Sequence, residues 1–189
     1  MSMVRTFLGM EIAREVREAL AEVICRLRPS VPAAKWVKPD NLHLTLKFLG
    51  NVPASDLEQI FAAARQAAAD CQAFELESSG LGCFPNDRYP RVVWAGCAAG
   101  SDCAVTLAQR LENEFAALGY EREKRPYSPH LTLARIRDPR DGRGLAAALA
   151  AEGAPHFGVT FMEEIVVFMS ELRRSGPVYS PMCRIPLAP

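Results

Sequence analysis

The tetrapeptide His-Leu-Thr-Leu stands at residues 43–46 and again at 130–133, in a chain that has only three histidines. No other feature narrows the fold as much. Residues two apart on a β-strand point to the same face. Each copy therefore predicts a strand that shows His and Thr on one side and buries two leucines on the other. A single H-x-T is more often a satisfied strand histidine than a site. Two copies in equivalent positions of two halves make His43, Thr45, His130 and Thr132 candidates for one shared site.

The flanking pattern repeats as well. Residues 4–10 read as a strand, and 11–28 carry Ile12, Val16, Leu20, Val23 and Leu27 at three- and four-residue steps. That is the stripe of an amphipathic helix, closed by Pro29 and Pro32. Trp36 and Val37 form a short extended piece ahead of a Pro39-Asp40-Asn41 turn, and 43–50 is the first histidine strand. Ser55 is placed to cap a helix over 56–71, with Glu58 at the capping-box position. Residues 74–79 form a strand and 80–90 a turn-rich loop. Then the order starts again, with a strand at 91–96, a helix over 101–118 stopped by Gly119, and the second histidine strand at 130–136. A short helix at 145–152 and strands at 157–161, 165–171 and 178–186 close the chain. The repetition predicts a duplicated α+β unit whose two lobes face each other.

Two imidazoles and two hydroxyls would then meet between the lobes. Histidine has an ordinary pKa of about 6.5 and titrates near neutrality. One neutral and one protonated imidazole on opposite sides of a tetrahedral centre supply a base and an acid for in-line displacement. Threonine hydroxyls and an imidazolium hydrogen-bond the outer oxygens of a phosphoryl group. The set fits phosphodiester chemistry without a metal, and geometry alone leaves open which histidine is the acid. Two histidines and two threonines make a poor zinc shell, because neither motif contains Cys, Asp or Glu. No G-x-S-x-G elbow supports a serine hydrolase either.

Composition limits the partners. Lys+Arg 22 balance Asp+Glu 22. Coating long nucleic acid takes many Lys/Arg–phosphate contacts, so a nucleic-acid partner is expected to be gripped locally. Arg122, Lys124, Arg125, Arg135, Arg137, Arg140 and Arg143 flank the second motif and predict a weakly positive rim, though Glu121, Glu123, Asp138 and Asp141 are interspersed. Arg135 and Phe48 each stand five residues past a motif histidine, an odd offset that turns them away from it unless a bulge returns them. Phe48 reads as core ahead of base platform, and Arg135 equally as substrate contact or surface salt bridge. Tyr127 reads equally as a stacking partner for base or ribose and as packing, and His156 as structural or exposed. Cys25, Cys71, Cys83, Cys97, Cys103 and Cys183 include no C-x-x-C pair and read as reduced, mostly buried thiols. With neither an export signal nor a long apolar run, the chain reads as cytoplasmic and free of the membrane, a monomer by default.

A longer pattern carries a resemblance. Trp36, the run 41–50 (NLHLTLKFLG), Arg91-Val92-Val93-Trp94 and the run 129–135 (PHLTLAR) together resemble the 2H phosphoesterase superfamily. More narrowly they resemble its LigT branch, the RNA 2′,3′-cyclic phosphodiesterases also called 2′-5′ RNA ligases. The resemblance covers nearly the whole chain. It implies a single domain over 1–189, bilobal and α+β, with two antiparallel sheets facing across a central groove and helices outside. It also implies hydrolysis of a terminal 2′,3′-cyclic phosphate to a 2′-phosphomonoester, with no metal and no cofactor. Carried onto the matching positions, His43 would protonate the departing 3′ oxygen, His130 would activate water, and Thr45 and Thr132 would hold phosphate oxygens. The implied partner is an RNA end or a cyclic nucleotide. The same histidines would serve 2′-5′ ligation of tRNA halves. A nucleotide-binding module without turnover is the rival from another class, and two titratable groups in intact motifs count against it.

Overall fold

The computed structural model, which describes residues 2–142, 144–174 and 176–189, places the two His-Leu-Thr-Leu segments at the starts of neighbouring strands. The first half runs β1 (Met3–Glu11), α1 (Arg14–Leu27), β2 (Lys35–Trp36), β3 (His43–Pro53), α2 (Leu57–Ala68) and β4 (Phe74–Phe84). The second runs β5 (Val92–Cys97), α3 (Ser101–Ala117), β6 (His130–Arg135), α4 (Leu145–Glu152), β7 (His156–Met162), β8 (Glu164–Arg173) and β9 (Gly176–Pro186). The α+β class is as expected.

The sheet differs from the expectation in one respect. Instead of two separate sheets, the strands form one curled antiparallel sheet in the order β7-β4-β5-β6-β3-β1-β8-β9, with β2 added on β6. The two histidine strands are its middle, joined through Leu44 and Leu131. Sequence halves also interleave: β8, late in the chain, pairs with β1, while β4 pairs with β5. Helix α1 crosses to the other half, where the Ala13 N–H donates to Thr160 Oγ1 at 3.0 Å and Arg26 pairs with Glu152 at 2.9 Å.

The main core lies on the helix-bearing face of the sheet. The motif leucines Leu44, Leu46, Leu131 and Leu133 all enter it, as do Val16, Leu20, Val23, Ile24 and Leu27 of α1. Each such side chain contributes about 1.5–3 kcal/mol on burial, so the repeated motif anchors both central strands.

Three local expectations are corrected. Ser55 does not cap α2: its hydroxyl donates to Asp56 Oδ1 at 2.9 Å, and the helix starts after a 3-10 turn with no side-chain cap. Residues 80–84 are strand rather than loop, because Leu81 to Phe84 pair with Ala95 to Val92; the cross-strand ladder outweighs the turn-rich composition. The six cysteines are free but not buried, with Cys25 and Cys103 exposed and the rest partly so. Burial nonetheless pushes the Cys97 thiol up to about 12 and raises Cys71 and Cys83, which disfavours the nucleophilic thiolate at all three. Among the described residues no helix is long and apolar enough to cross a membrane.

Candidate active site

The site begins with a register fault that both histidine strands share. Along β3, Thr45 pairs with Gly9 and Lys47 with Leu8, so Leu46 has no partner. Along β6, Thr132 pairs with Trp94 and Ala134 with Val93, so Leu133 has none. Each strand consequently runs half-buried, buried, half-buried, buried, buried, exposed from its histidine onward. An extra residue reverses the alternation beyond it. Phe48 and Arg135 therefore return to the histidine face in spite of their odd offsets. Phe48 is 56 % exposed and not core, and its ring lies 5.6 Å from that of Phe7 on the concave face. Lys47 takes the opposite course. It turns into the helix side, where its Nζ meets Glu112 Oε1 at 2.7 Å and donates to the Glu121 carbonyl at 3.3 Å.

Both imidazoles are held by the same backbone device. His43 Nδ1 lies 2.7 Å from the Asn41 carbonyl, and His130 Nδ1 lies 2.7 Å from the Ser128 carbonyl. A carbonyl can only accept, so Nδ1 carries the proton and Nε2 is left for chemistry. Asn41 is itself tied down, its Nδ2 donating to the Pro177 carbonyl at 2.9 Å. The strand behind His43 comes unusually close. A Cβ on Gly9 would lie 2.6 Å from the Leu44 carbonyl oxygen and 3.2 Å from His43 Cδ2, so only glycine fits there. Because β3 and β6 are antiparallel about Leu44 and Leu131, His43 runs toward Thr132 and Thr45 toward His130.

Burial pushes both imidazoles below the usual histidine range. The carbonyls of Asn41 and Ser128 pull them part of the way back, and the Arg135 charge lowers both further. Arg135 is exposed and makes no ion pair with a described residue, so the salt-bridge alternative is not what the structure contains. Of the rest of the predicted rim, Lys124, Arg125 and Arg137 are exposed and their side chains make no ion pair with a described residue. Arg122 donates to Asn113 at 2.8 Å and Arg140 pairs with Asp138, while Arg143 lies outside the described residues. The Tyr127 hydroxyl donates to the Thr45 carbonyl at 2.7 Å, and burial raises its pKa. It ties the loop before the second motif to the first motif instead of offering a free ring. His156 is exposed, 3.6 Å from the Glu77 carboxylate.

Sequence reasoning missed the aromatic walls. Phe7, Tyr179 and Phe168 surround His43 with ring centroids at 4.9, 5.3 and 6.1 Å. Phe84 meets His130 edge-on at 5.2 Å and also packs on Trp94. The alternation of β1 separates Phe7 from Leu8 and Met10, but nothing local says that β8 and β9 bring Phe168 and Tyr179 beside it. Among the described residues no three His, Cys, Asp or Glu side chains gather as a metal-holding group. The arrangement offers two imidazole Nε2 atoms, two threonine hydroxyls and one guanidinium on one face of two adjacent strands.

Known proteins share this architecture. The model of the LigT like Phosphoesterase family matches residues 10–94 and 98–179. An RNA 2′,3′-cyclic phosphodiesterase of Methanothermobacter thermautotrophicus is 34% identical over 179 residues, covering 95% of this chain and 96% of the relative. A Thermus thermophilus crystal structure superposes with a TM-score of 0.78 at 31% identity, covering 97% of both chains. The E. coli LigT structure complexed with 3′-AMP gives a TM-score of 0.78 at 26% identity over 100% of both chains.

Proposed function

Because this chain belongs to the LigT like phosphoesterase family, we propose that it hydrolyses RNA 2′,3′-cyclic phosphate ends to 2′-phosphomonoesters, with His43 as acid and His130 as base. The observation that carries the reading is the pair of imidazoles, each with Nδ1 fixed on a backbone carbonyl. Fixing Nδ1 leaves both Nε2 atoms for proton transfer.

The cyclic phosphate lies between the motifs. His130 Nε2, which has no partner among the described residues, takes a proton from the attacking water. The new P–O bond forms as the P–O3′ bond breaks, and His43 Nε2–H delivers its proton to the departing 3′ oxygen. One imidazole gains a proton as the other loses one. Thr45 Oγ1 sits 2.9 Å from His43 Nε2. It donates to the neutral ring and accepts from the protonated one, so loading the acid frees the hydroxyl hydrogen for a phosphate oxygen. Thr132 holds a second oxygen, and Arg135 opposes the negative charge. Burial keeps His130 unprotonated and so able to accept a proton, while the phosphate's negative charge favours the protonated form of His43.

Residues 1–189 act as one domain of two pseudo-symmetric lobes in this reading. The identical bulge after each motif supports it.

Incubation with 2′,3′-cyclic AMP and cyclic-ended RNA in EDTA tests the function. The expected product is the 2′-phosphomonoester, absent with His43→Ala and with His130→Ala. A 3′-phosphate product, or activity abolished by EDTA, would overturn the reading, as would tight binding without turnover.

A further inference from the structure

In-line displacement sets the attacking and leaving oxygens on opposite sides of phosphorus. The attacking group is a water, which needs almost no room. The departing 3′ oxygen carries a ribose, a base and whatever chain precedes them. Given the acid and base roles proposed above, the His43 side of the cleft must hold the nucleotide and the His130 side only the water.

The His43 side is the more aromatic surface. Phe7, Phe168 and Tyr179 floor it, and Phe48 stands half-exposed beside them. Arg5 lies beyond. It precedes Phe7 by two residues on β1. The register shift between them leaves its unmatched residue, Leu49, on β3, so β1 keeps its own alternation and Arg5 shares the face of Phe7. Opposite it in register is Asn51. Arg5 is exposed, and its side chain makes no hydrogen bond or ion pair with a described residue. Tyr179 stands on β9 opposite Ser170 of β8, the strand that pairs with β1. Its ring is 4.9 Å from Phe7 and 5.3 Å from His43, and the charges of Arg5 and Arg135 both act on its hydroxyl. The bulge on β6 returns Arg135 to the histidine face, and its charge acts on both histidines, which suits it to the reacting phosphate. A base and a ribose are uncharged and call for no cation. A second unpaired guanidinium past the aromatic floor matches a second phosphate.

We propose that Arg5 binds the phosphodiester linking the terminal nucleotide to its 5′ neighbour, making this a site for RNA chain ends in preference to mononucleotides. The contact would explain how a chain of zero net charge still selects a polyanion, with one cation for each phosphate that it reads.

The test compares three substrates: 2′,3′-cyclic AMP, an adenosine dinucleotide ending in a 2′,3′-cyclic phosphate, and the same dinucleotide with an uncharged methylphosphonate linkage. The wild-type protein is expected to favour the charged over the neutral dinucleotide about tenfold in kcat/KM, the scale of one exposed charge-assisted contact. Arg5→Met should bring that ratio close to unity and lower the salt dependence of dinucleotide binding by about 0.7 in log–log slope. Arg5→Lys, which keeps the charge, should retain most of the preference. Arg110→Met, on the outer helix α3, should leave it alone. A preference undiminished in Arg5→Met would overturn the proposal. Hydrolysis of 2′,3′-cyclic AMP by the wild type separately tests the hydrolase reading. If that fails, wild type and Arg5→Met compared for binding of the dinucleotide 2′-phosphate still decide the role of Arg5.

Discussion

The strands that carry His43 and His130 share a tetrapeptide, a burial pattern and a bulge, and they differ in what has been brought against them. His43 is enclosed by Phe7, Phe168 and Tyr179, and its Nε2 is met by its own Thr45 at 2.9 Å. His130 touches one aromatic ring, Phe84, and its Nε2 has no partner among the described residues. One imidazole is walled and engaged and the other is open, a difference in keeping with the acid and base roles proposed for them. The residue after the bulge differs too. Lys47 holds a buried ion pair with Glu112, while the equivalent place on β6 is Ala134. Equal sequence builds equal local geometry; unequal neighbours give the two imidazoles different surroundings.

The largest effect expected from breaking this comparison is on the histidines themselves. His43→Ala and His130→Ala should each slow hydrolysis of a cyclic phosphate by about a thousandfold, within the usual range for one acid or base. They should part company on an aryl phosphodiester, whose nitrophenolate leaves without a proton. His43→Ala should then recover most of its rate and His130→Ala should not. Equal losses on both substrates in steady-state assays would show that the two rings are not specialised.

Next comes the ion pair that only the first strand possesses. Glu112→Ala strands the Lys47 ammonium, whose side chain is 4 % exposed, and should lower the unfolding free energy in urea by about 3 kcal/mol. Replacing both partners with apolar residues should recover much of that loss. A cost near zero for Glu112→Ala would mean that Lys47 finds water or another acceptor.

The smallest effect is the most symmetric. Arg135 lowers both imidazoles, because a cation disfavours a second positive charge nearby. Arg135→Met removes that influence, so both pKa values should rise and both limbs of the bell-shaped kcat/KM profile should move to higher pH. A limb that stayed or moved downward would place Arg135 away from that histidine.

Several of these features are legible in the amino-acid order alone. The two histidine strands and their inward leucines follow from a period of two, and the α1 stripe from a period of three to four. Both are properties of a short stretch of backbone. The bulges are not legible, since an unmatched Leu46 or Leu133 exists only relative to a partner strand, and so the odd offset of Phe48 points to the wrong face. Ser55 fails as a cap for a similar reason, its hydroxyl being taken by Asp56. The long reach of β4 and the single continuous sheet depend on pairings between distant segments.

By itself, then, the amino-acid sequence determined that His43 with Thr45, and His130 with Thr132, would each share one face of a strand with the leucines on the other, because side-chain direction along a strand is set locally. Only the tertiary structure decided which imidazole is enclosed, that the charge of Arg135 reaches both, and that Arg5 lies on the same concave surface. Those facts come from β8 and β9 closing on β1 and from two strands losing register, and such long-range contacts leave no periodic mark in the chain.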